Sequence, residues 1–287
     1  VIGACAIGLE FPYFYNTFGT EITLVEMMER IVPNEDEEIS KQLEKSFKKK
    51  GINVMTGARV ESLETTDDGV KVTVSTDDGE ETLEASKALL AIGVQGNIEN
   101  IGLEDVGVET GKGSIVVDEY YRTNVDGIYA IGDVIGQPWL AHVGSKEGVI
   151  GVEKISGKNP VPLDYNSIPE CTYCQPQVAS IGMTEQEAKD AGYDVKIGKY
   201  QFRPNGKAVA SGETEGFTKI VIDAKYGEIL GAHIIGAEAT ELIADVGVAK
   251  TLESTWKELH STVHAHPTLS EVIEEATGAA FDEAIHQ

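Results

Sequence analysis

The apolar and polar positions fall first into an alternation of strand-like and helix-like runs. Val1 to Gly3 ends a strand, a helix-like run follows as far as Phe18, and Gly19 closes it. Glu21 to Glu26 reads as a second strand, Glu35 to Lys50 as a charged amphipathic helix stopped by Gly51, and Ile52 to Met55 as a third strand. Asp67-Asp68-Gly69 and Asp77-Asp78-Gly79 are turn signals between alternating apolar runs, which predicts an antiparallel meander of about three strands. The apolar run Lys87 to Ile92 is expected to return to the sheet. A βαβαβ unit whose last crossover is a meander is a variant of the doubly wound α/β fold.

From residue 96 the pattern changes. Ile115 to Asp118 and Ile128 to Ile131 read as short strands in a Gly-rich stretch, and Leu140 to Ser156 as a helix. Pro160, Pro162 and Pro169 mark a linker. Lys219 to Asp223 and Ile229 to Ile235 flank Lys225-Tyr226-Gly227 as a hairpin, and Glu238 to Glu253 has helical periodicity. The expected organisation is three segments, 1–95, 96–165 and 166–287, the last of α+β type.

Composition narrows the function classes. The formal charge is −25, from 48 acidic against 23 basic residues, which disfavours nucleic acid and anionic lipid as partners. No apolar run reaches the roughly 18 residues of a membrane-spanning helix. Cys5, Cys171 and Cys174 do not make a disulfide framework, so a cytoplasmic or mitochondrial-matrix setting is expected. The chain opens on Val1-Ile2-Gly3 without an initiator Met, and a longer parent protein is expected.

Three motifs carry candidate chemistry. The first, Gly3-Ala4-Cys5-Ala6-Ile7-Gly8, lies between strand and helix, where a dinucleotide site needs G-x-G-x-x-G. The outer glycines make the turn and the helix packing, and phosphates sit at the helix N-terminus. Glu26 ends the next strand, placed to accept from both ribose hydroxyls and to repel a 2′-phosphate, which favours NAD over NADP. Cys5 occupies the middle glycine position, and Pro12 falls inside the helix. The second motif is Thr123-Asn124-Val125-Asp126-Gly127-Ile128-Tyr129-Ala130-Ile131-Gly132-Asp133, followed by Leu140-Ala141-His142. A strand there delivers Gly132 and Asp133 to its C-terminal end, where open α/β sheets bind ligands. His142 fits equally as an ordinary helix-start residue. The third is His264-Ala265-His266-Pro267-Thr268-Leu269-Ser270-Glu271. Pro267 can start a helix that carries Glu271, whose carboxylate can orient an imidazole as a general acid–base. Cys171-Thr172-Tyr173-Cys174 has neither a second Cys pair nor a strand–helix setting, and reads as incidental; no metal site is expected.

The second motif resembles the FAD-binding segment of the flavoprotein disulfide reductases, and the third resembles the dihydrolipoyl dehydrogenase branch of that family. Pro169-Glu170-Cys171-Thr172-Tyr173 with Pro176-Gln177-Val178-Ala179-Ser180-Ile181-Gly182 resembles the start of the family's dimerisation domain. The resemblance implies Rossmann-like nucleotide-binding domains followed by an α+β dimerisation domain. It implies NAD at Gly3, Cys5, Ile7, Gly8, Glu26 and Gly93, and FAD at Gly132, Asp133, Leu140, Ala141 and His142. It makes His266 the acid–base for a dithiol and Glu271 its orienting partner, with the site shared across a homodimer. The implied reaction is oxidation of dihydrolipoamide to lipoamide with reduction of NAD, in a protein that docks on the acyltransferase core of a 2-oxo-acid dehydrogenase complex.

The family's redox Cys-x-x-x-x-Cys and first glycine fingerprint are absent from this sequence, so the chain by itself is expected to be inactive. Gly96 stands where the family usually has proline. The alternatives are a glutathione- or mercuric-reductase-like enzyme, or a non-catalytic nucleotide-binding or dimerisation module.

Overall fold

A computed structural model describes residues 1–286. The chain forms two compact units, Val1–Ile92 with Pro169–Gln287, and Gly93–Ile168. The first and last of the three expected segments therefore share one unit.

The first segment opens with helix α1 (Ala6–Thr17), which runs through Pro12 without a break. Strand β1 (Thr23–Val25) pairs in parallel with β2 (Asn53–Met55). Between them lies α2 (Glu37–Lys49). The Asp36 side chain caps α2 by accepting from Glu38 N–H; Glu37 and Glu38 sit in its first turn, Lys48 and Lys49 in its last. Both ends thus oppose the helix dipole. Ile39, Leu43 and Phe47, spaced by four, form its buried face. The meander follows as β3 (Arg59–Thr65), β4 (Val70–Thr76) and β5 (Gly79–Ala85), with Val72 and Val74 of the central strand buried. The run at 87–92 is not a strand. Leu90 and Ile2 make one parallel bridge, and Ile2 bridges Val25 in turn.

The second unit carries little regular structure. It contains α3 (Leu103–Val106), the two-residue strands β6 (Thr110–Gly111) and β7 (Ser114–Ile115), a 3-10 turn at Gly132–Ile135, and α4 (Ala141–Ile155). The strand expected over 115–118 stops at Ile115. The one expected over 128–131 reduces to a bridge between Tyr129 and Arg122. A strand needs a laterally paired neighbour, and none of the described residues supplies a ladder there.

The chain then returns to the first unit with β8 (Glu170–Thr172), β9 (Gln177–Gly182), α5 (Glu185–Asp190), β10 (Val195–Gln201) and α6 (Gly206–Ser211). Next come β11 (Phe217–Asp223), β12 (Ile229–Gly236), α7 (Ala239–Thr251), α8 (Trp256–Ser261) and α9 (Glu271–Ala279). The five strands form an antiparallel sheet in the order β10-β11-β12-β9-β8. Alternate residues of β11 and β12 face opposite ways. Ile220, Ile222, Ala232 and Ile234 join a core with α7 and α9, whereas Phe217 and Ile235 join one with Ile39, Leu43 and Phe47 of α2. Covering both faces buries both strands along their whole length.

The α2-facing side also carries a polar row. Ser180, His233 and Lys219 are register partners across β9, β12 and β11. Lys219, 2% exposed, bonds to Asp36 at 2.9 Å, Glu38 at 3.0 Å and Glu185 at 2.7 Å. Burial works against the ammonium, but the three carboxylates prevail and its pKa rises. Burial likewise works to raise the Asp36 carboxyl, and Lys219 prevails in lowering it.

Candidate functional site

The expected nucleotide loop is a strained turn closed by tight packing. Gly3 has φ 95°, and a Cβ there would stand 2.4 Å from the Ala91 carbonyl oxygen; one on Gly8 would stand 2.0 Å from the Gly3 carbonyl oxygen. The two outer glycines therefore do what a dinucleotide fingerprint asks of them. Glu26 is 7% exposed, and its carboxylate accepts from Ala4 N–H at 2.7 Å and Met28 N–H at 2.8 Å. Each oxygen keeps a second lone pair for a ribose hydroxyl. Cys5 is the extended N-cap of α1, with its side chain exposed and no capping hydrogen bond. Partial desolvation of Sγ, and then the Glu26 charge, push this thiol up, so it is a neutral group at neutral pH. Ile7 is exposed, and Gly93 belongs to the second unit. The loop fits a dinucleotide everywhere except at Cys5.

In the second unit Gly132 begins the 3-10 turn, and Asp133 follows with an exposed side chain. The turn is fastened from behind. Glu147, buried in α4, accepts from Gly132 N–H at 2.6 Å and from the Tyr165 hydroxyl at 2.7 Å. A Cβ on Gly96 would stand 2.9 Å from the Asp133 carbonyl oxygen and from Val134 Cα. The absent Cβ of Gly96 thus allows a close backbone approach behind Asp133. Leu140 is the N-cap of α4, and Ala141 and His142 are exposed in its first turn. Sequence reasoning missed Glu147 and Tyr165. A carboxylate at the i+4 position from Val143, on the buried face that continues to Ile150, was the available signal.

The third motif separates its two histidines. His264 is 7% exposed and turns Nδ1 to Glu274 at 3.4 Å, whereas His266 is 77% exposed and turns Nδ1 to Glu271 at 2.8 Å. A carboxylate can only accept, so Nδ1 of His266 carries a proton toward Glu271 and Nε2 points away from the pair. The helix begins at Glu271 rather than at Pro267, so Glu271 reaches back from the first turn. Its second oxygen takes Thr268 N–H at 2.8 Å. Burial acts to raise the Glu271 carboxyl, but His266 and Thr268 outweigh it and hold it below the ordinary carboxylate range. One turn along α9 a second pair of this build was missed: His286 Nδ1 lies 2.7 Å from Glu275, which also accepts both backbone N–H groups of 285 and 286. The Cys-x-x-C thiols are both free. Burial pushes Cys171 up and Cys174 up to about 12, so neither is a thiolate at neutral pH. The described residues hold no cluster of metal-ligating side chains and no helix long and apolar enough to cross a membrane.

Residues 1–148 match the family described as pyridine nucleotide-disulphide oxidoreductase, and residues 168–277 match the dimerisation domain of the same family. The chain belongs to the pyridine nucleotide-disulphide oxidoreductases. Among curated relatives of this chain, a dihydrolipoyl dehydrogenase of Zymomonas mobilis is 49% identical over the whole chain, and one of Bacillus subtilis 47%. The chain spans 62% and 61% of the length of these two relatives. The crystal structure of LpdA from Mycobacterium tuberculosis superposes with a TM-score of 0.88 at 32% identity, covering 96% of this chain and 60% of that one. The HOCl-induced flavoprotein disulfide reductase RclA from Escherichia coli shares the fold, with a TM-score of 0.89 at 24% identity over 96% of this chain and 63% of its own. The oxidoreductase fold expected from the motifs is therefore the observed one.

Proposed function

We propose that this chain is the nucleotide-binding and dimerisation part of a dihydrolipoyl dehydrogenase, with His266 as the acid–base for the dithiol. The observation that carries the proposal is the exposed His266 imidazole, locked by Glu271 at 2.8 Å with Nε2 left free, in a chain 49% identical to a dihydrolipoyl dehydrogenase.

The chemistry follows from that geometry. Nε2 of His266 takes the proton of a substrate thiol, because the thiolate, not the thiol, attacks a disulfide. Glu271 holds the neutral tautomer beforehand and steadies the imidazolium afterwards. The Gly3–Gly8 turn and Glu26 would hold NAD, with Cys5 crowding the pyrophosphate. The 3-10 turn at Gly132 and Asp133 would hold the ribityl side of FAD. When bound, these groups supply the two-electron acceptors. The redox disulfide is no part of the present sequence, whose three cysteines are all free. Residues 166–287 would pair with a second copy, and the assembled protein would dock on the acyltransferase core of a 2-oxo-acid dehydrogenase complex in the cytoplasm or mitochondrial matrix.

The test is a chimera that joins this chain to the part of the Zymomonas mobilis relative it does not span. The chimera is expected to reduce NAD with dihydrolipoamide, and the chain alone to show no such turnover. A chimera that binds FAD yet prefers glutathione or a metal ion as substrate would assign the chain to another branch.

A further inference from the structure

The His266–Glu271 pair is held by a residue on a different element. Asn205, 4% exposed, precedes α6 and uses both ends of its amide. Its Oδ1 accepts from Ala208 N–H at 2.9 Å, which caps α6, and its Nδ2 donates to the Thr268 carbonyl at 3.0 Å. Thr268 is thereby gripped from two sides, because its own N–H goes to Glu271 Oε2 at 2.8 Å. The other Glu271 oxygen, Oε1, meets His266 Nδ1 at 2.8 Å. The Thr268 hydroxyl adds a bond of 2.6 Å to the Ala265 carbonyl. The start of α6 also borders the ring, since a Cβ on Gly206 would stand 3.8 Å from His266 Cε1.

We propose that Asn205 is a positioning residue for the acid–base pair: through Thr268 it fixes the Glu271 carboxylate, and so selects the His266 tautomer that leaves Nε2 free. The proposal rests on the reading of His266 as the acid–base. Its physical basis is that a buried amide with both ends engaged has one orientation, and that outer-layer hydrogen bonds set the direction of a histidine held by a carboxylate. Asn205 touches neither substrate nor cofactor. It sits more than fifty residues upstream of the motif it serves, which is why the spacing of the motif does not include it.

The test uses the chain with 15N-labelled histidine, and reads the ratio of Nδ1–H to Nε2–H forms at His266 by NMR. Asn205→Asp keeps a cap acceptor for α6 but sets an oxygen against the Thr268 carbonyl. It is expected to lower the ratio about fivefold, the weight of one net hydrogen bond, with Ala208 N–H exchange unchanged. Asn205→Ser keeps the cap without the reach, and is expected to lower the ratio about twofold. An unchanged ratio in Asn205→Asp with α6 intact overturns the proposal; if that variant loosens α6, an unchanged ratio in Asn205→Ser overturns it. Glu271→Ala separates the two layers. If Glu271→Ala leaves the ratio unchanged, the His266–Glu271 reading fails first; if it lowers the ratio while the Asn205 variants do not, only the role of Asn205 fails. In the chimera, Asn205→Asp is expected to lower kcat and leave the KM for dihydrolipoamide unmoved, a split that general loosening would not produce.

Discussion

The two units bury their polar groups in different company. In the unit formed by residues 1–92 and 169–287, β11 and β12 are buried throughout, and a buried lysine sits among three carboxylates under α2. In the unit of residues 93–168, the buried Glu147 is held by one backbone N–H and one phenol, and no cation pairs with it among the described residues. Val149, Val152 and Ile155 of α4 are more than half exposed, with values of 54%, 65% and 57%. The difference shows what a sheet covered on both faces contributes. It fixes polar groups by enclosing them, whereas a unit of turns and one long helix fixes them one hydrogen bond at a time.

The contrast breaks most sharply at Lys219. Lys219→Ala leaves the buried Asp36 carboxylate without its cation, while Glu38 keeps Lys199 and Glu185 keeps Lys189, and is expected to cost about 3–5 kcal/mol, read by chemical unfolding. Unchanged stability would mean that the polar row carries no weight. The same cluster sets a pH window. Asp36 is depressed below its ordinary 3.8, so its stabilisation is present above that pH and lost as pH falls through the depressed value. Lys219 is raised above its ordinary 10.5, so its contribution is present below that pH and lost as pH rises through the raised value. Glu38 and Glu185, held below their ordinary 4.5, add to the acid edge, and the raised Cys171 and Cys174 thiols, ordinarily 9.0, add to the alkaline one, so Lys219→Ala is expected to shrink the alkaline edge without removing it.

Amides of β11 and β12 are expected to exchange hydrogen about a hundredfold more slowly than those of residues 96–130, because opening there requires loss of both covering layers. Equal protection would erase the distinction between the units. Within the second unit, Glu147→Ala strands the Gly132 N–H and leaves the Tyr165 hydroxyl only the 3.5 Å contact with Tyr121, at a cost of about 1–3 kcal/mol in stability. The smallest expected effect is at the nucleotide loop. Cys5→Gly is expected to tighten NAD binding by about tenfold or less, the relief of one crowded side chain, and unchanged affinity in a fluorescence titration would remove Cys5 as an obstacle.

Elements whose cause is local were legible in the sequence. The cap, charge gradient and spacing of Ile39, Leu43 and Phe47 define α2 without reference to anything else, and the β11–β12 hairpin and α4 fall where periodicity puts them. Elements whose cause is a neighbour were not. The run at 128–131 has strand composition, yet yields one bridge for want of a paired strand. At the site, the His-x-His spacing showed the motif but could not tell the enclosed His264 from the exposed His266; the packing of α9 decides that. Asn205 acts across 63 positions, which no local pattern encodes, and the helical spacing that marks Glu147 does not give its partners Gly132 and Tyr165.

The acid–base role of His266 is tested most directly by the rate of NAD reduction by dihydrolipoamide in the chimera, compared between His266 and His266→Gln. A fall of about 100- to 10,000-fold in kcat with FAD content unchanged is expected, the usual weight of a general acid–base; equal rates in the two proteins would remove His266 from that role.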